Sequence, residues 1–518
     1  MRTNWDDIAA IHDPSSFGQV GLDIPGVEKY SDRALLLPAR TVVVHDDGHL
    51  LEEYLGWLSS KDVSLGPKSV IRVRGRNLYD GLEADPSAME RLHACVRSGG
   101  QIQAFNRSDE FEEFRTRQGF GDAQIHSAPQ KIAHTFANKA ELRRIGAAIN
   151  MSHAFPEHRM TKDPRRVMAY VKEFLSRPTD EVPMVYCKRT DLAGGYGMVR
   201  VTREDDAGAK VVNFLRTFQK NEVLVECWNQ TGREAMLVRS VKDPDRLKDV
   251  LEDMLASNEN IDSFVVRRPV LVSGLGRRRI RRGENLDAAC ADFVRSFGEN
   301  ELIVEVGYPH LAYSTQYMLG LTAGSKPFLG VTRQLMEGTY HVGNVLTRFL
   351  REDRLKKEQY HTMKAHSETF GRYAERQMSG YVGVIGFDFA VVTEGPKKGT
   401  VYLLECNPRP TASTYPWAVM SQVEARYPDQ LVVEGAEKRA IRANIGIVMR
   451  NGVRVEAPTF AGLKSALGQT LFEKRKGVIP FNIRLMELPE RRCGIMSVGE
   501  TLEEAESLDE EACRRLAG

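Results

Sequence analysis

Residues Lys188–Glu226 and Arg267–Glu305 are two copies of one stretch. Aligned at an offset of 79 with no gap, they agree at 14 of 39 positions: Arg189, Leu192, Gly195, Gly197, Arg200, Arg203, Ala209, Phe214, Arg216, Phe218, Asn221, Glu222, Val225 and Glu226 each recur 79 residues later. The likeness continues upstream with a one-residue slip, Lys162–Arg166 (KDPRR) answering Lys242–Arg246 (KDPDR), each followed by a helix-like run. Each copy reads as helix, strand, glycine turn, strand, helix, strand. Two unrelated stretches would not match without a gap at turn glycines and terminal glutamates alike, so the middle of the chain is a tandem duplication of one small subdomain.

At ~150 residues per domain, 518 residues suggest three or four domains. Thr41–His45 and Ser69–Val73 are β-like, and Leu50–Leu58 between them has helical spacing, so residues 1 to about 130 form an N-terminal α/β domain. Residues 131–305 hold the duplication, with copies at about 160–226 and 240–305. A further lobe is expected over 306–435. In it, 351–378 reads as one long, largely exposed helix ended by Gly380, Tyr381–Val392 as a glycine-punctuated strand pair, and Thr400–Cys406 as a further strand after the turn Gly395–Gly399. Strand signals at Ile445–Met449 and a final helix make 436–518 a small C-terminal α+β domain.

Lys plus Arg total 72 and Asp plus Glu 70, so the net charge of +2 gives no global reason for nucleic-acid or membrane binding. No run approaches the ~18 apolar residues of a membrane span, and the acidic start MRTNWDDIAAIHD is unlike a secretory signal. Seven scattered cysteines without a CxxC pair read as reduced thiols, which fits a cytoplasmic protein better than a disulfide framework or zinc site.

Two constellations carry chemistry. In the first, a short strand ends at Lys188, and Gly194, Gly195 and Gly197 follow before a strand resumes at Met198. A glycine turn between strands lets backbone N–H groups approach a polyphosphate, and Lys188 adds a point charge. No GK[ST] and no helix follow, so it is neither a Walker loop nor a dinucleotide fingerprint. In the second, Asp388 lies in one strand, and Glu405 and Asn407 share a face of the next, with Arg409 two residues beyond. Oxygen ligands of this kind suit Mg²⁺, and Arg409 is placed to stabilise charge on a transferring phosphoryl group. Asp388 stands among apolar neighbours, where an unpartnered carboxylate is costly. The five arginines of Arg277–Arg282 are either a solvated basic strand or a surface for an anionic ligand; a nucleic-acid role lacks interleaved aromatics.

In this order, the pieces resemble the ATP-grasp superfamily from about Lys139 to Pro416. Phe136–Gly146 looks like the family's early lysine helix, and Lys188 with Gly194–Gly197 like its phosphate-covering hairpin. Val304-Glu305 looks like the strand that meets the adenine, with Val225-Glu226 competing. Phe328–Gln334 with Gly343-Asn344 resemble the strand and turn that follow. Gly386–Phe389 and Leu404–Arg409 resemble its metal-binding core. The resemblance implies two α+β lobes holding ATP between them, here with the small lobe duplicated. It implies Lys139, Lys188, Gly194, Gly195, Gly197 and Glu305 at ATP, and Asp388, Glu405 and Asn407 on Mg²⁺ or Mn²⁺. Lys188 and Arg409 take the catalytic roles, and Ser413 and Thr414 either bond an acylphosphate or form a plain turn. The implied reaction activates a small-molecule carboxylate as an acylphosphate and joins it to an amine, such as an amino acid or peptide, releasing ADP. Many such ligases are homodimers. The alternative is an ATP-binding sensor or scaffold that does not ligate. Because the second copy has Arg267 in the lysine position, the first copy is favoured as the nucleotide site. Thr411–Pro416, Gly477–Asn482 and Val498–Ala505 are further similar to pheganomycin-type peptide ligases, although Ser413-Thr-Tyr-Pro416 stands where that family has Gly-Thr-Thr-His-Pro.

Overall fold

The computed structural model describes residues 5–14, 27–46, 48–61, 65–75, 77–190, 198–218, 223–228, 235–241, 246–261, 263–267, 277–283, 285–288, 290, 301–319, 328–337, 340–347, 354–377, 383–426 and 445–517. Residues 194–197, residues 268–276 and Gly380 lie outside these residues. Four parallel strands open the chain: β1 (Ile8–Ile11), β2 (Thr41–His45), β3 (Val70–Val73) and β4 (Gln101–Ala104), in the order β3-β2-β1-β4. Parallel neighbours need crossovers, supplied here by helices such as His49–Ser59 and Pro86–Arg97. The apolar run Val42–Val44 is fully buried, as strands covered on both faces must be.

The duplicated region builds two four-stranded sheets, and neither is made by one copy alone. The first copy provides β5 (His158–Thr161), β6 (Met184–Arg189), β7 (Met198–Val201), helix Ala207–Phe218 and β8 (Val223–Trp228). The second provides β9 (Ala235–Val241), helix Leu247–Ser257, β10 (Ser263–Arg267), β11 (Arg277–Arg281) and β12 (Leu302–Gly307). The sheet orders are β5-β12-β6-β7 and β9-β8-β10-β11, so each copy's last strand sits between the first two strands of the other. The registers match throughout. Lys188 pairs with Ile303 and Met198, and their counterparts 79 residues on or back, Arg267 with Leu224 and Arg277, pair likewise. The upstream slip is visible too: Thr161 pairs with Leu302, and Val241, 80 residues on, pairs with Val223. The two copies have exchanged terminal strands.

One eight-stranded antiparallel sheet forms the rest: β13 (His310–Leu319), β14 (Phe328–Glu337), β15 (Tyr340–Thr347), β16 (Gly383–Val392), β17 (Val401–Asn407), β18 (Gly446–Arg454), β19 (Gly477–Phe481) and β20 (Arg492–Gly499), ordered β17-β16-β13-β14-β15-β18-β20-β19. The expected C-terminal domain therefore continues the sheet of the lobe before it, through β15 against β18. Its core merges with that of the N-terminal sheet; Tyr54 and Trp57 pack edge-on against Phe460. Gly383–Val392 is a single ten-residue strand, not a pair: its glycines need no turn, since ten residues pair with β13 without a break. Helix Lys357–Gln377 is less exposed than its polarity suggests, because Met363, Ser367, Phe370 and Ala374 form a buried stripe at helical spacing.

Strand exchange makes a direct prediction. Val304 lies opposite Cys187, and both are fully buried. Antiparallel partners stand ~4.5–5.5 Å apart at Cα, within disulfide range. After oxidation, mass mapping of Val304→Cys should recover a disulfide-linked peptide pair that joins Cys187 to the introduced thiol. Val225→Cys should give no link to Cys187; the opposite pattern would mean that the strands are not exchanged.

Candidate active site

Strand exchange brings Lys188 and Glu305 into one sheet. Lys188 is on β6 and Glu305 on the neighbouring β12, and their side chains form a buried ion pair. Helix Lys139–Ala148 adds Arg143, which pairs with the other Glu305 oxygen and donates to the Lys139 carbonyl at 2.9 Å. Burial alone would push the Glu305 carboxyl up; the Lys188 and Arg143 charges outweigh it and hold it at about 2. Burial draws the Lys188 ammonium down, with Glu305 opposing. Asn138 caps the same helix, accepting from the Ala140 and Glu141 amides. That fixes Lys139 at the first helical position, where its Nζ lies 3.0 Å from Glu405.

The carboxylate side comes from β16 and β17. Asp388 pairs with Glu405 and Gly386 with Asn407, and the register shifts immediately after Asp388. Such a bulge re-aims side chains beside a site; Leu404 and Glu405 both line the cleft. Asp388 accepts from Gln334 at 3.1 Å and from Asn407 at 3.0 Å. Arg409 donates to the Asn407 side-chain oxygen at 3.1 Å, and its guanidinium lies 5.2 Å from the Phe105 ring. Burial, then the Glu405 charge, raises Asp388 to about 8. Burial works against Glu405 too, but Lys139 prevails and holds it at about 2. One carboxyl is thus kept neutral and its neighbour ionised, the expected outcome when two acids share a buried site.

Lys139, Lys188, Glu305, Gln334, Asp388, Glu405, Asn407 and Arg409 line one cleft of about 420 Å³, within the usual range for small-molecule sites. At one end are Tyr186, Val306, Gly307, Tyr308 and Leu404. Gly307 is required there, since a Cβ would lie 2.4 Å from the Tyr186 ring. Lys139, Lys188, Asp388, Glu405 and Asn407 occupy the middle, and Arg409, Ser413, Asn344, His341 and Arg33 the far end. Among the described residues no group of three or more His, Cys, Asp or Glu is placed to hold a metal. Two carboxylates and an amide nevertheless fit Mg²⁺, which uses one or two protein carboxylates and fills the remaining positions with phosphate and water. The Lys139 ammonium on Glu405 already stands as a cation at that position. A half-turn of the Asn407 amide would present its oxygen to a metal in place of its nitrogen.

The structure thus brings together Lys139, Lys188, Glu305, Asp388, Glu405, Asn407 and Arg409. Glu305, expected at the adenine, gives its carboxylate to Lys188 and Arg143, and Val306, Gly307 and Tyr308 just after it line the apolar end. Thr414 takes the plain-turn role: its hydroxyl accepts from the Thr411 amide and donates to Gln316. Ser413 faces the cleft and bonds Thr332 and Asn344. Arg277–Arg281 form an edge strand of the second sheet, and Arg282 bonds the Ile261 and Asn258 carbonyls just after helix Leu247–Ser257. Arg33, Phe105 and His341 had no sequence signal, because the first two come from the N-terminal sheet region and lie far from any motif.

No protein-family model matches the chain, and no curated protein does. Several solved structures are similar to it. Biotin carboxylase from Campylobacter jejuni, solved with an ATP analogue, is 10% identical, with 92% of this chain and 85% of that one covered and a TM-score of 0.47. Carboxyaminoimidazole ribonucleotide synthase from Aspergillus clavatus, complexed with ATP, is 12% identical over 99% of both chains, with a TM-score of 0.44. N5-carboxyaminoimidazole synthetase from Staphylococcus aureus, complexed with ADP, is 10% identical over 98% and 97%, also at 0.44. At these scores the likeness carries no functional weight; the cleft's own residues do.

The buried charges make pH a direct probe of the site. Asp388, raised from 3.8 to about 8, holds a proton in the folded state that the unfolded chain has lost, so between those values stability falls as pH rises. Asp388→Asn removes that loss. Without divalent cations its melting temperature should exceed the wild type's by a margin that widens from about pH 5 to about pH 8; a constant margin contradicts the assignment. Glu305→Gln leaves two buried cations without their counter-ion and should cost roughly 3–5 kcal/mol in denaturant unfolding at neutral pH. The pair's contribution is complete above about pH 4.5 and is lost as pH falls toward about 2.

Proposed function

We propose that this chain is an ATP-dependent ligase of the ATP-grasp type, which joins a carboxylate to an amine and releases ADP and phosphate. The observation that carries this is the convergence of two lysines, three carboxylates, an amide and Arg409 on one cleft, with Arg143 behind Glu305, from four separate parts of the chain. Buried charges are seldom the cheapest way to hold a fold together. Here Lys139, Lys188, Arg143 and Arg409 face two ionised carboxylates and one neutral one, leaving an excess of positive charge suited to a polyphosphate.

The roles divide by position. The apolar end at Tyr186 and Val306–Tyr308 takes the base of the nucleotide. Lys139 and Lys188, paired with Glu405 and Glu305 in the free protein, turn toward the phosphates. Glu305 keeps Lys188 aimed at the cleft from behind, and Gly194, Gly195 and Gly197 cover the phosphates. Asp388, Glu405 and Asn407 hold Mg²⁺ or Mn²⁺, which when bound neutralises charge on the phosphates. Arg409, steadied by Asn407 and Phe105, sits beside the carboxylate that attacks the γ-phosphorus. That step gives an acylphosphate and ADP; the amine then displaces phosphate to leave the amide. Phosphoryl transfer of this kind needs positioning and charge more than a protein nucleophile, and the buried cysteines at 187 and 406 are held as thiols by burial.

The test is ADP formation on a panel of carboxylates and amines with Mg·ATP. The wild type should release ADP only when both partners are present. Lys188→Ala and Glu405→Gln should each lower kcat/KM by about 10²-fold or more. Nucleotide binding without turnover across the panel, or AMP in place of ADP, contradicts the proposal.

A further inference from the structure

The far end of the cleft holds a cation that the proposed chemistry does not use. Arg33 lies in the segment Val27–Leu36, far in sequence from every other cleft residue. Its guanidinium carbon is 5.3 Å from the Tyr30 ring and 5.3 Å from the Tyr415 ring, so stacking on two sides fixes its direction. Among the described residues no carboxylate pairs with it, and its buried Nε has no hydrogen-bond partner. Its neighbouring acid, Asp32, is committed to Arg484.

The surroundings are neutral. The Tyr415 hydroxyl donates to His12 Nδ1 at 2.9 Å, and His12 Nε2 donates to Gln103 at 2.9 Å. Burial, reinforced by the Arg33 charge, lowers His12 to about 4, so this wall carries no charge at neutral pH. His341 and Asn344 line the same end, and His341 Nε2 and Asn344 Nδ2 are buried and have no hydrogen-bond partner among the described residues. Arg409 is the other cation at this end. A guanidinium held by two rings at the same end of the cleft as Arg409, with its Nε unbonded and no acid paired to it among the described residues, is suited to an anion that the substrate brings.

We propose that Arg33, with His341 and Asn344, anchors a second, non-reacting carboxylate of the substrate, so that the enzyme selects substrates bearing an anionic group beyond the one it activates. This rests on the ligase reading and adds a substrate class to it. Arg33 is a specificity residue: it fixes which molecule reaches Arg409 and takes no part in the transfer.

The experiment is the same ADP-release panel with every acid and amine offered twice, once with a free second carboxylate and once with that group as its primary amide. A charge-assisted contact predicts a KM lower by about tenfold or more for the carboxylate form in the wild type. Arg33→Gln should erase that preference while leaving kcat and the affinity for Mg·AMPPNP unchanged, and Arg33→Lys should keep part of it. Equal KM for the two forms in the wild type, or a preference that survives in Arg33→Gln, overturns the inference. Failure of the wild type to bind Mg·AMPPNP overturns the ligase reading instead. Calorimetric titration of the same pairs without nucleotide then still decides on Arg33: tighter binding of the carboxylate form, lost in Arg33→Gln, upholds it, and no difference overturns it.

Discussion

A single buried carboxylate, Glu305, ties three distant parts of this chain together. It bonds Lys188 from the first repeat and Arg143 from the helix preceding both repeats, and it is itself carried on the last strand of the second. At 1% exposure it has no water to fall back on. Its ionisation is tolerable only because two cations meet it, and their burial is tolerable only because of it. The direction of Lys188 into the cleft and the seating of Lys139 over Glu405 both follow from this arrangement, since Arg143 anchors the turn on which Lys139 stands.

The exchange of terminal strands is what makes that contact possible. Each copy ends in a strand that its own sheet could have accepted in the same register, as the equivalence of Lys188–Ile303 and Arg267–Leu224 demonstrates. Swapping costs no hydrogen bonds, because the two acceptor sheets present the same edge groups. It does change connectivity. The second sheet becomes an excursion between β7 and β12, and the first is completed only when the chain returns. The duplication therefore left a composite site, with its lysine from one copy and its glutamate from the other.

Much of this was legible in the sequence because it rests on local pattern. The repeat, the α/β character of the N-terminal region and the Asp388–Glu405–Asn407 face all follow from periodicity and identity within short windows. Strand partnership between copies is not local. Glu226 and Glu305 close equivalent strands, so nothing short of coordinates tells which one meets Lys188. The same holds for Arg33, whose importance comes from Tyr415 in a distant part of the chain. The helix Lys357–Gln377 reads as more exposed than it is because its buried stripe includes Ser367, Gly371 and His366, which hydropathy counts as polar or neutral. The C-terminal strands read as separate because an unbroken antiparallel sheet leaves no compositional seam.

The proposed ligase activity requires the cleft to receive a metal–nucleotide between its two charged sides. The most direct measurement is a crystal structure of the full chain with Mg·AMPPNP. It should show the γ-phosphate between Lys188 and the Asp388–Glu405 pair, with the Lys139 ammonium drawn off Glu405 and the metal in its place. A nucleotide bound instead at the second sheet beside Arg267, or a cleft in which both lysines keep their glutamates while nucleotide binds elsewhere, would contradict it.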